Sequence, residues 1–417
     1  MRWRVEDTPA RAAFRAEFKH WLTDVLPAGW AEALDSADDE AFEQARKGFN
    51  FLEWMVVIGR TGYAAPLWPK EYGGMSGEAW MQQIVREELS THRLPIFGVN
   101  LLGVGLAGPT IIAHASEAQK ARYLPKILSG EEIWCQLFSE PGSGSDLASL
   151  GTRAVKDGDE WVVNGQKVWT SIAQFSTFGM LLARTDPDVP KHEGLSYFVV
   201  DMHAPGVEVR PLRQLTGSSD FSEVFFSDVR VPDANRIGEA SEGWRYARTT
   251  LMNERVALSG LSVDSVSLTG GVRGDPWEAT LAQVGDRSDP VVRQELARIF
   301  SRQEAKEITS FRAGAARLAG QVPGAEGGIS KVFNAELNQY RSAALVDAGG
   351  MSSVAWLPGE GEAGEGRAGT FLRARANTIE GGTSEVLRNQ IAERILELPR
   401  EPDVDRGVAW SESRRSS

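Results

Sequence analysis

Apolar residues recur every three or four positions through the first third of the chain, which is the period of an amphipathic α-helix. One apolar stripe spans residues 14–25, and a second spans residues 80–89. A stretch rich in Pro and Gly separates the two stripes and is typical of a loop. The pattern predicts an N-terminal helical domain over residues 1–131.

The pattern changes between residues 132 and 240, where short runs of β-branched and aromatic residues replace the helical stripes. Such runs favour strands. Asp157-Gly158-Asp159 and Asn164-Gly165 interrupt the runs, and Asn-Gly between two runs is a strong signal for a hairpin turn. We therefore predict an antiparallel β domain over residues 132–240.

The helical period returns from residue 241, with apolar stripes over residues 244–261, 292–318 and 391–398. It predicts a C-terminal helical domain over residues 241–401. The last residues, 402–417, are mostly polar, which predicts a flexible tail. The order helix, sheet, helix makes this an α+β multidomain protein, and no internal repeat is visible.

Composition narrows the class of protein. The 417 residues are 42% hydrophobic and 24% charged, which is ordinary for globular domains and excludes a disordered chain. A net charge of −12 argues against a nucleic-acid partner. The chain has no apolar run of about 18 residues and begins without the apolar core of a secretory signal, so we expect no membrane span and a cytoplasmic location. One cysteine and five scattered histidines predict neither a disulfide nor a metal site.

Three segments carry candidate chemistry. Residues 103–108 match GxGxxG, but no strand precedes them, so we interpret the glycines as tight helix packing or a bend. Residues 138–146, Phe-Ser-Glu-Pro-Gly-Ser-Gly-Ser-Asp, form either a polar turn or a loop whose amides bind anionic oxygen. Residues 164–171, Asn-Gly-Gln-Lys-Val-Trp-Thr-Ser, place an indole beside two hydroxyls, which suits a flat heteroaromatic cofactor. A core tryptophan is the alternative for Trp169.

Five short sequence motifs carry a family resemblance. They are Gln-Lys-Ala-Arg-Tyr-Leu-Pro at 119–125, the segments 138–146 and 164–171 given above, Glu-Val-Phe-Phe-Ser-Asp-Val-Arg-Val-Pro at 223–232, and Gly-Gly-Thr-Ser-Glu-Val-Leu-Arg at 381–388. Their order and spacing resemble the acyl-CoA dehydrogenase family over about residues 5–400, including its bacterial fatty-acyl and steroid-side-chain members. The resemblance implies a β-barrel-like middle domain and a C-terminal four-helix bundle.

The resemblance also implies FAD, bound between the last two domains and across a subunit interface. It assigns contacts with the cofactor to Phe138, Ser139, Gly144, Ser145, Trp169, Thr170, Ser171, Thr383, Ser384 and Glu385. It assigns substrate contacts to Ser145, Arg255, Gly381 and Gly382. Thr383 and Ser384 open the last predicted helix, so they can cap it as well as bind a ligand.

The activity implied by the resemblance is desaturation of an acyl-CoA thioester to a 2,3-enoyl-CoA, an oxidoreductase reaction of lipid metabolism. Electrons would pass to an electron-transfer flavoprotein, and the protein would be a homodimer, a tetramer or a mixed oligomer with a paralogue. Two alternatives stay open: a flavin-dependent monooxygenase or oxidase on the same fold, and a non-catalytic subunit of a mixed oligomer. The acyl chain is not determined by the sequence.

Desaturation needs a carboxylate that removes the α-proton. Glu254 falls on the apolar stripe 244–261, and burial should raise its pKa toward a useful value. Long-chain and isovaleryl-type members carry their base at this helix position, before an arginine. An ion pair with Arg248 or Arg255 is the alternative role. Many other relatives carry the base directly before Gly-Thr, a position that Gly381 holds here, so Glu380 is the second choice.

Two family motifs are missing. No Arg-x-x-Phe-Gly string occurs between residues 265 and 300, and Val346 stands where a glutamine usually precedes the paired glycines. In the family both contribute to FAD binding between subunits. Either FAD is bound differently here, or a partner subunit in a mixed oligomer supplies the contacts.

Overall fold

A computed structural model of the protein describes residues 6–35, 39–47, 49–94, 100–259, 276–318, 326–353, 366–402 and 405–413. The described residues form two compact units by their internal contacts, one up to residue 134 and the other from residue 135 onward.

The first unit is helical, as the apolar period predicts. Its helices are α1 (Pro9–Val25), α2 (Trp30–Asp35), α3 (Asp39–Arg46), α4 (Phe51–Gly59), α5 (Ala79–Thr91), α6 (Gly108–His114) and α7 (Glu117–Leu128). The stripe on α1 buries Phe14, Phe18 and Leu22. Ser116 caps α7 in a capping box with Gln119, which satisfies amides that the first turn leaves open.

The GxGxxG string lies in this helical unit, so the interpretation as helix packing is confirmed. Residues 103–107 form a π-helical turn that leads directly into α6. A Cβ added at Gly108 would overlap the indole of Trp68. The glycine allows close approach of a helix to an aromatic ring, and among the described residues that precede it, 6–94 with their gaps and 100–107, there is no strand.

The second unit begins with a sheet. Its strands are β1 (Trp134–Leu137), β2 (Arg153–Asp157), β3 (Glu160–Ser171), β4 (Phe178–Arg184), β5 (Leu195–Asp201), β6 (Val207–Leu212), β7 (Phe221–Pro232) and β8 (Arg236–Ile237). The strand order is β6-β7-β3-β2-β4-β5-β8, with β1 added beside β4. Along this strand order the pairings are antiparallel except for a short parallel contact between β2 and β4. The sheet is open, with β6 and β8 at its edges, so the expected barrel-like closure is wrong.

The hairpin turn predicted at Asn164-Gly165 is also wrong. β3 runs unbroken through these residues, and its pairing with β7 shifts register there, as at a β-bulge. Gly165 is needed for a different reason: a Cβ would lie 2.5 Å from the Thr152 hydroxyl. The other predicted turn, at Asp157-Gly158-Asp159, is confirmed: it joins β2 to β3, and Gly158 has φ of +64°.

Helices follow the sheet. They are α8 (Gly243–Ser259), α9 (Pro276–Ala282), α10 (Pro290–Leu318), α11 (Glu326–Gly349), α12 (Arg367–Ala374) and α13 (Ser384–Arg394). α8 packs on the sheet through buried Tyr246 and Ala247, and Tyr197 of β5 hydrogen-bonds Thr250 at 3.1 Å. The predicted last stripe extends beyond α13, which ends before Ile395. A four-helix bundle stays a prediction. No helix among the described residues has the length and apolar character that a membrane crossing needs.

The C-terminal residues differ from the flexible tail that their polar composition predicts. Over residues 405–413, here called the tail segment, the backbone pairs with the loop that follows β4. The Trp410 amide donates to the Val189 carbonyl at 2.9 Å, and the Ser411 amide donates to the Pro187 carbonyl at 2.8 Å. The one large aromatic side chain of the segment, Trp410, packs against Arg184 of β4.

Candidate functional site

The SEPGSGSD loop (residues 139–146) is held at its start by a buried ion pair. Lys167, fully buried on β3, donates to the Glu140 carboxylate at 2.8 Å and to the Phe138 carbonyl at 2.9 Å. The amides of Gly151 and Thr152 donate to the same carboxylate at 2.7 and 2.8 Å. Burial alone would raise the pKa of Glu140, but Lys167 and these donors hold it below its ordinary value. The loop is therefore anchored by a charged group that sequence reasoning missed.

The loop lies beside the end of β3. The Val168 amide donates to the Ser139 carbonyl at 2.9 Å. Trp169 follows with φ of +61°, at a register shift between β3 and β7, and its side chain is 58% exposed. A left-handed backbone is uncommon for a bulky residue, and such residues are frequent at functional sites. The core interpretation of Trp169 is therefore wrong: the indole lies at the surface, edge-on to Phe221 at 5.9 Å.

Two predicted cofactor contacts carry buried hydroxyls that find no hydrogen-bond partner among the described residues. They are Thr170 Oγ1, in a side chain only 1% exposed, and Ser384 Oγ, in a side chain 2% exposed. A buried hydroxyl without a partner is costly, so each such group needs an explanation. A polar ligand that binds at the end of β3 and at the start of α13 would satisfy both, and these residues therefore fit a bound cofactor.

The remaining predicted contacts in the β domain differ in exposure. Phe138 is buried, with its ring edge-on to Tyr197 at 6.0 Å. Ser139 and Ser171 are half-buried, whereas Gly144 and Ser145 are exposed. A Cβ added at Gly144 would meet nothing within 4 Å. The protein itself leaves open space at Gly144, which is available to a ligand.

The start of α13 is shaped by a turn of two glycines. Gly381 and Gly382 have φ of +63° and +95°, which favours glycine at both positions. The Thr383 hydroxyl then accepts from the Val386 amide at 3.2 Å, so this residue caps the helix as expected. Glu385, in the first turn, is exposed.

Lys331 on α11 holds this turn in place. Its ammonium donates to the Asn377 carbonyl at 2.9 Å and to the Gly382 carbonyl at 2.6 Å. Burial lowers the pKa of Lys331, and attraction to Glu380, Glu385 and Glu254 opposes that shift. One cation thus interacts with both candidate bases and with the start of α13. Sequence reasoning missed Lys331, because a lysine that binds main-chain carbonyls leaves no motif.

Glu254 is half-buried on α8. The amide of Gln136, on β1, donates to Glu254 Oε2 at 3.3 Å. Gln136 lies two residues before Phe138, so Glu254 is next to the strand that leads into the SEPGSGSD loop. Lys331, which donates to the Gly382 carbonyl in the α13 turn, attracts Glu254 electrostatically.

Glu380 is fixed in a polar network. Arg373 donates to both of its oxygens, at 2.8 and 3.3 Å, and Asn377 donates to Oε1 at 2.7 Å. Asn338 on α11 in turn donates to Asn377 at 2.6 Å. Arg373 and Glu380 are each about one-third exposed. This carboxylate is occupied in holding the loop between α12 and α13.

Some predicted positions lie outside this description. The side chain of Arg255 and the segment 260–275, which covers part of the expected Arg-x-x-Phe-Gly region, are not among the described residues. Arg248, considered as an ion-pair partner of Glu254, is exposed. Val346, which replaces the usual glutamine, is half-buried on α11.

Comparison with protein families gives three matches. The model described as acyl-CoA dehydrogenase, N-terminal domain, matches residues 8–131. The corresponding middle-domain model matches residues 135–229, and the C-terminal-domain model matches residues 241–396.

Individual relatives agree with these matches. Acyl-CoA dehydrogenase FadE34 of Mycobacterium tuberculosis is 41% identical over 83% of this chain, which spans only 46% of that longer protein. Acyl-CoA dehydrogenase IpdE1 of the same organism is 36% identical over 93% of this chain and 98% of its own. Among solved structures, the "Tcur3481-Tcur3483 steroid ACAD" is 32% identical with a TM-score of 0.74, covering 96% of this chain and all of that chain.

Proposed function

The chain belongs to the acyl-CoA dehydrogenase family, a family of flavin-dependent oxidoreductases, and we propose that it desaturates an acyl-CoA thioester to a 2,3-enoyl-CoA with FAD as its cofactor. The observation that supports the proposal most strongly is the position of Glu254. It is half-buried on α8, accepts a hydrogen bond from Gln136 of β1 and is attracted by Lys331, so the carboxylate is partly shielded from bulk water.

Glu254 acts as the base in this proposal. It removes the α-proton of the acyl thioester onto a carboxylate oxygen, while Gln136 orients that carboxylate through its amide. Charge that develops on the thioester oxygen needs donors, and amides of the Gly381-Gly382 turn and of the α13 start are suited to supply them. A bound flavin supplies the hydride acceptor for the β-hydrogen.

The cofactor contacts are proposed from the fit of individual residues. The hydroxyls of Thr170 and Ser384 would form hydrogen bonds with polar atoms of FAD, which would give each buried hydroxyl a partner. The exposed indole of Trp169 offers a flat face to the ring system. The other proposed FAD contacts in the β domain are Phe138, Ser139, Ser171, Gly144 and Ser145. At the start of α13 they are Thr383 and Glu385. Ser145, Arg255, Gly381 and Gly382 are proposed substrate contacts.

The substrate class and the assembly are part of the proposal. We propose an acyl-CoA whose acyl group is attached to a steroid ring system, since a steroid ACAD is among the structures similar to this chain. Two observations support a mixed oligomer with a paralogue. The name of that structure gives two components, and this chain lacks two family motifs that contribute to FAD binding. The proposed electron acceptor is an electron-transfer flavoprotein.

Anaerobic titration of the flavin-loaded protein with a panel of acyl-CoAs tests the function. We expect bleaching of the flavin absorbance by steroid-derived acyl-CoA and weaker bleaching by straight-chain acyl-CoA. Rapid oxygen consumption by the reduced protein would instead indicate a monooxygenase or oxidase.

A second candidate, a non-catalytic subunit, is favoured by the missing motifs. Two results together would establish that role. The purified protein would hold no flavin on its own, and Glu254→Gln in this chain would leave the complex with its paralogue fully active.

A further inference from the structure

The tail segment contacts a buried arginine that braces the backbone after the SEPGSGSD loop. Arg184, at the end of β4, is 2% exposed, and its guanidinium donates to the carbonyls of Ala148 and Leu150. The Trp410 ring lies over this guanidinium at 4.7 Å, which is within the range of a cation–π contact. Trp410 Nε1 also donates to the Ser149 carbonyl at 3.1 Å.

The same backbone is held from its other side by the loop itself. Glu140 accepts from the amides of Gly151 and Thr152, at 2.7 and 2.8 Å. A Cβ added at Gly151 would lie 3.7 Å from Glu140 Oε2 and 3.8 Å from Trp410 Cζ2. The carboxylate that begins the loop and the indole of the tail segment therefore contact one backbone position.

The end of the loop is connected to the tail segment as well. Lys191 donates to Asp146, the last loop residue, at 2.8 and 2.9 Å. Arg184 donates to the Lys191 carbonyl at 2.7 Å. The backbone that leads to Lys191 pairs with the tail segment through Pro187 and Val189. Both ends of the loop are thus tied to elements that the tail segment covers.

We propose that the tail segment is a strap and that Trp410 is a positioning residue, which fixes the SEPGSGSD loop by bracing residues 148–151 through Arg184. Part of this inference rests on the proposed function, because it treats the loop as a cofactor contact. Removing the indole would expose Arg184 and release the Ser149 carbonyl, while the remote cores of the unit stay intact. The loop would then lose the fixed geometry that a pre-organised binding site needs.

Hydrogen exchange of the flavin-free protein tests the brace without relying on the cofactor. In Trp410→Ala we expect the amides of Gly151 and Thr152 to exchange at least tenfold faster, with no change in the β4–β5 amides. Trp410→Phe keeps a ring over Arg184 and should fall between Trp410→Ala and the wild type. Glu412→Ala, an exposed change in the same segment, is the matched control and should exchange like the wild type.

Flavin titration of the same three variants gives the second readout. Trp410→Ala should bind FAD about tenfold more weakly, and Trp410→Phe should recover most of the affinity. Unchanged exchange at residues 151 and 152 in Trp410→Ala would overturn the strap. Faster exchange with unchanged FAD affinity would retain the strap and overturn the assignment of the loop as a cofactor contact. Equal effects of Glu412→Ala and Trp410→Ala would also overturn the role of the indole.

Discussion

Two glutamates in the same unit accept hydrogen bonds from different kinds of side chain. Glu254 on α8 is half-buried and accepts from the neutral amide of Gln136. Glu380, before α13, receives both N–H groups of a guanidinium fork and an asparagine amide. Charge-assisted hydrogen bonds from a guanidinium fork fix a carboxylate in one orientation more strongly than a single bond from a neutral amide does.

The difference separates a chemical role from a structural one. A general base must accept a proton and then release it, so its partners have to tolerate both states. The Gln136 amide that donates to Glu254 is neutral, whereas the Arg373 side chain that donates to Glu380 is a guanidinium that fixes the carboxylate in place. Lys331 interacts with both glutamates but donates its hydrogen bonds to backbone carbonyls of the α13 turn. On this comparison we propose that α8 carries the catalytic carboxylate and that Glu380 holds the α12–α13 loop in place.

The largest expected effect is that of Glu254→Gln. Without a carboxylate the α-proton has no acceptor, so flavin reduction by acyl-CoA should slow by at least about 10³-fold. Binding of acyl-CoA, measured by the shift of the flavin spectrum, should survive, because the amide keeps the shape of the side chain. The rate of flavin reduction in Glu254→Asp should lie between those of the wild type and Glu254→Gln. Reduction at the wild-type rate in Glu254→Gln would refute the assignment of Glu254 as the base.

Gln136→Arg gives Glu254 the kind of partner that Glu380 has. We expect a rate of flavin reduction roughly 100-fold lower, since a guanidinium would hold the carboxylate in its ionised state. Gln136→Met, of similar size and uncharged, is the control and should cost only a few-fold. If the arginine variant is as fast as the methionine variant, the contrast between neutral and charged partners does not explain the roles.

Lys331→Met removes the ammonium that fixes the α13 turn. The affinity for FAD should fall about tenfold, because the carbonyls of Asn377 and Gly382 lose a charged donor. Lys331→Arg keeps the charge and should recover much of the affinity in an equilibrium flavin titration. Equal FAD affinity of the methionine variant and the wild type would show that the turn is held without this residue.

Glu380→Gln should have the smallest effect on rate, within about tenfold of the wild type. Its pair with Arg373 is one-third exposed, so its loss should cost about 1 kcal/mol of unfolding free energy in urea. A loss of rate as large as that of Glu254→Gln would exchange the two roles.

Much of the fold follows from period alone. The stripe in α1 and the alternation in the β domain arise because each element buries one face, which the sequence records directly. Closure of the sheet, by contrast, depends on whether its edge strands meet, which no local pattern encodes. Asn164-Gly165 misled for a related reason: the glycine serves contact with Thr152 on a neighbouring strand rather than a turn.

The site residues also fall into those that a local sequence pattern predicts and those that it does not. Thr383 as a helix cap and Glu254 on an apolar stripe could be predicted, because capping and amphipathicity are local. Lys331, Gln136 and Arg184 could not, since each acts on groups distant in the chain. The tail segment was the hardest case: only Trp410 distinguishes it from a solvated terminus, and its partner Arg184 lies more than 200 residues earlier.

Exchange of the α-proton measures the central claim most directly. An acyl-CoA analogue that lacks β-hydrogens cannot be desaturated, so incorporation of deuterium at its α-carbon in D₂O reports the base alone. With flavin-loaded protein, the wild type and Glu380→Gln should both catalyse exchange, and Glu254→Gln should not. Exchange at the wild-type rate in Glu254→Gln, with loss of exchange in Glu380→Gln, would contradict the account.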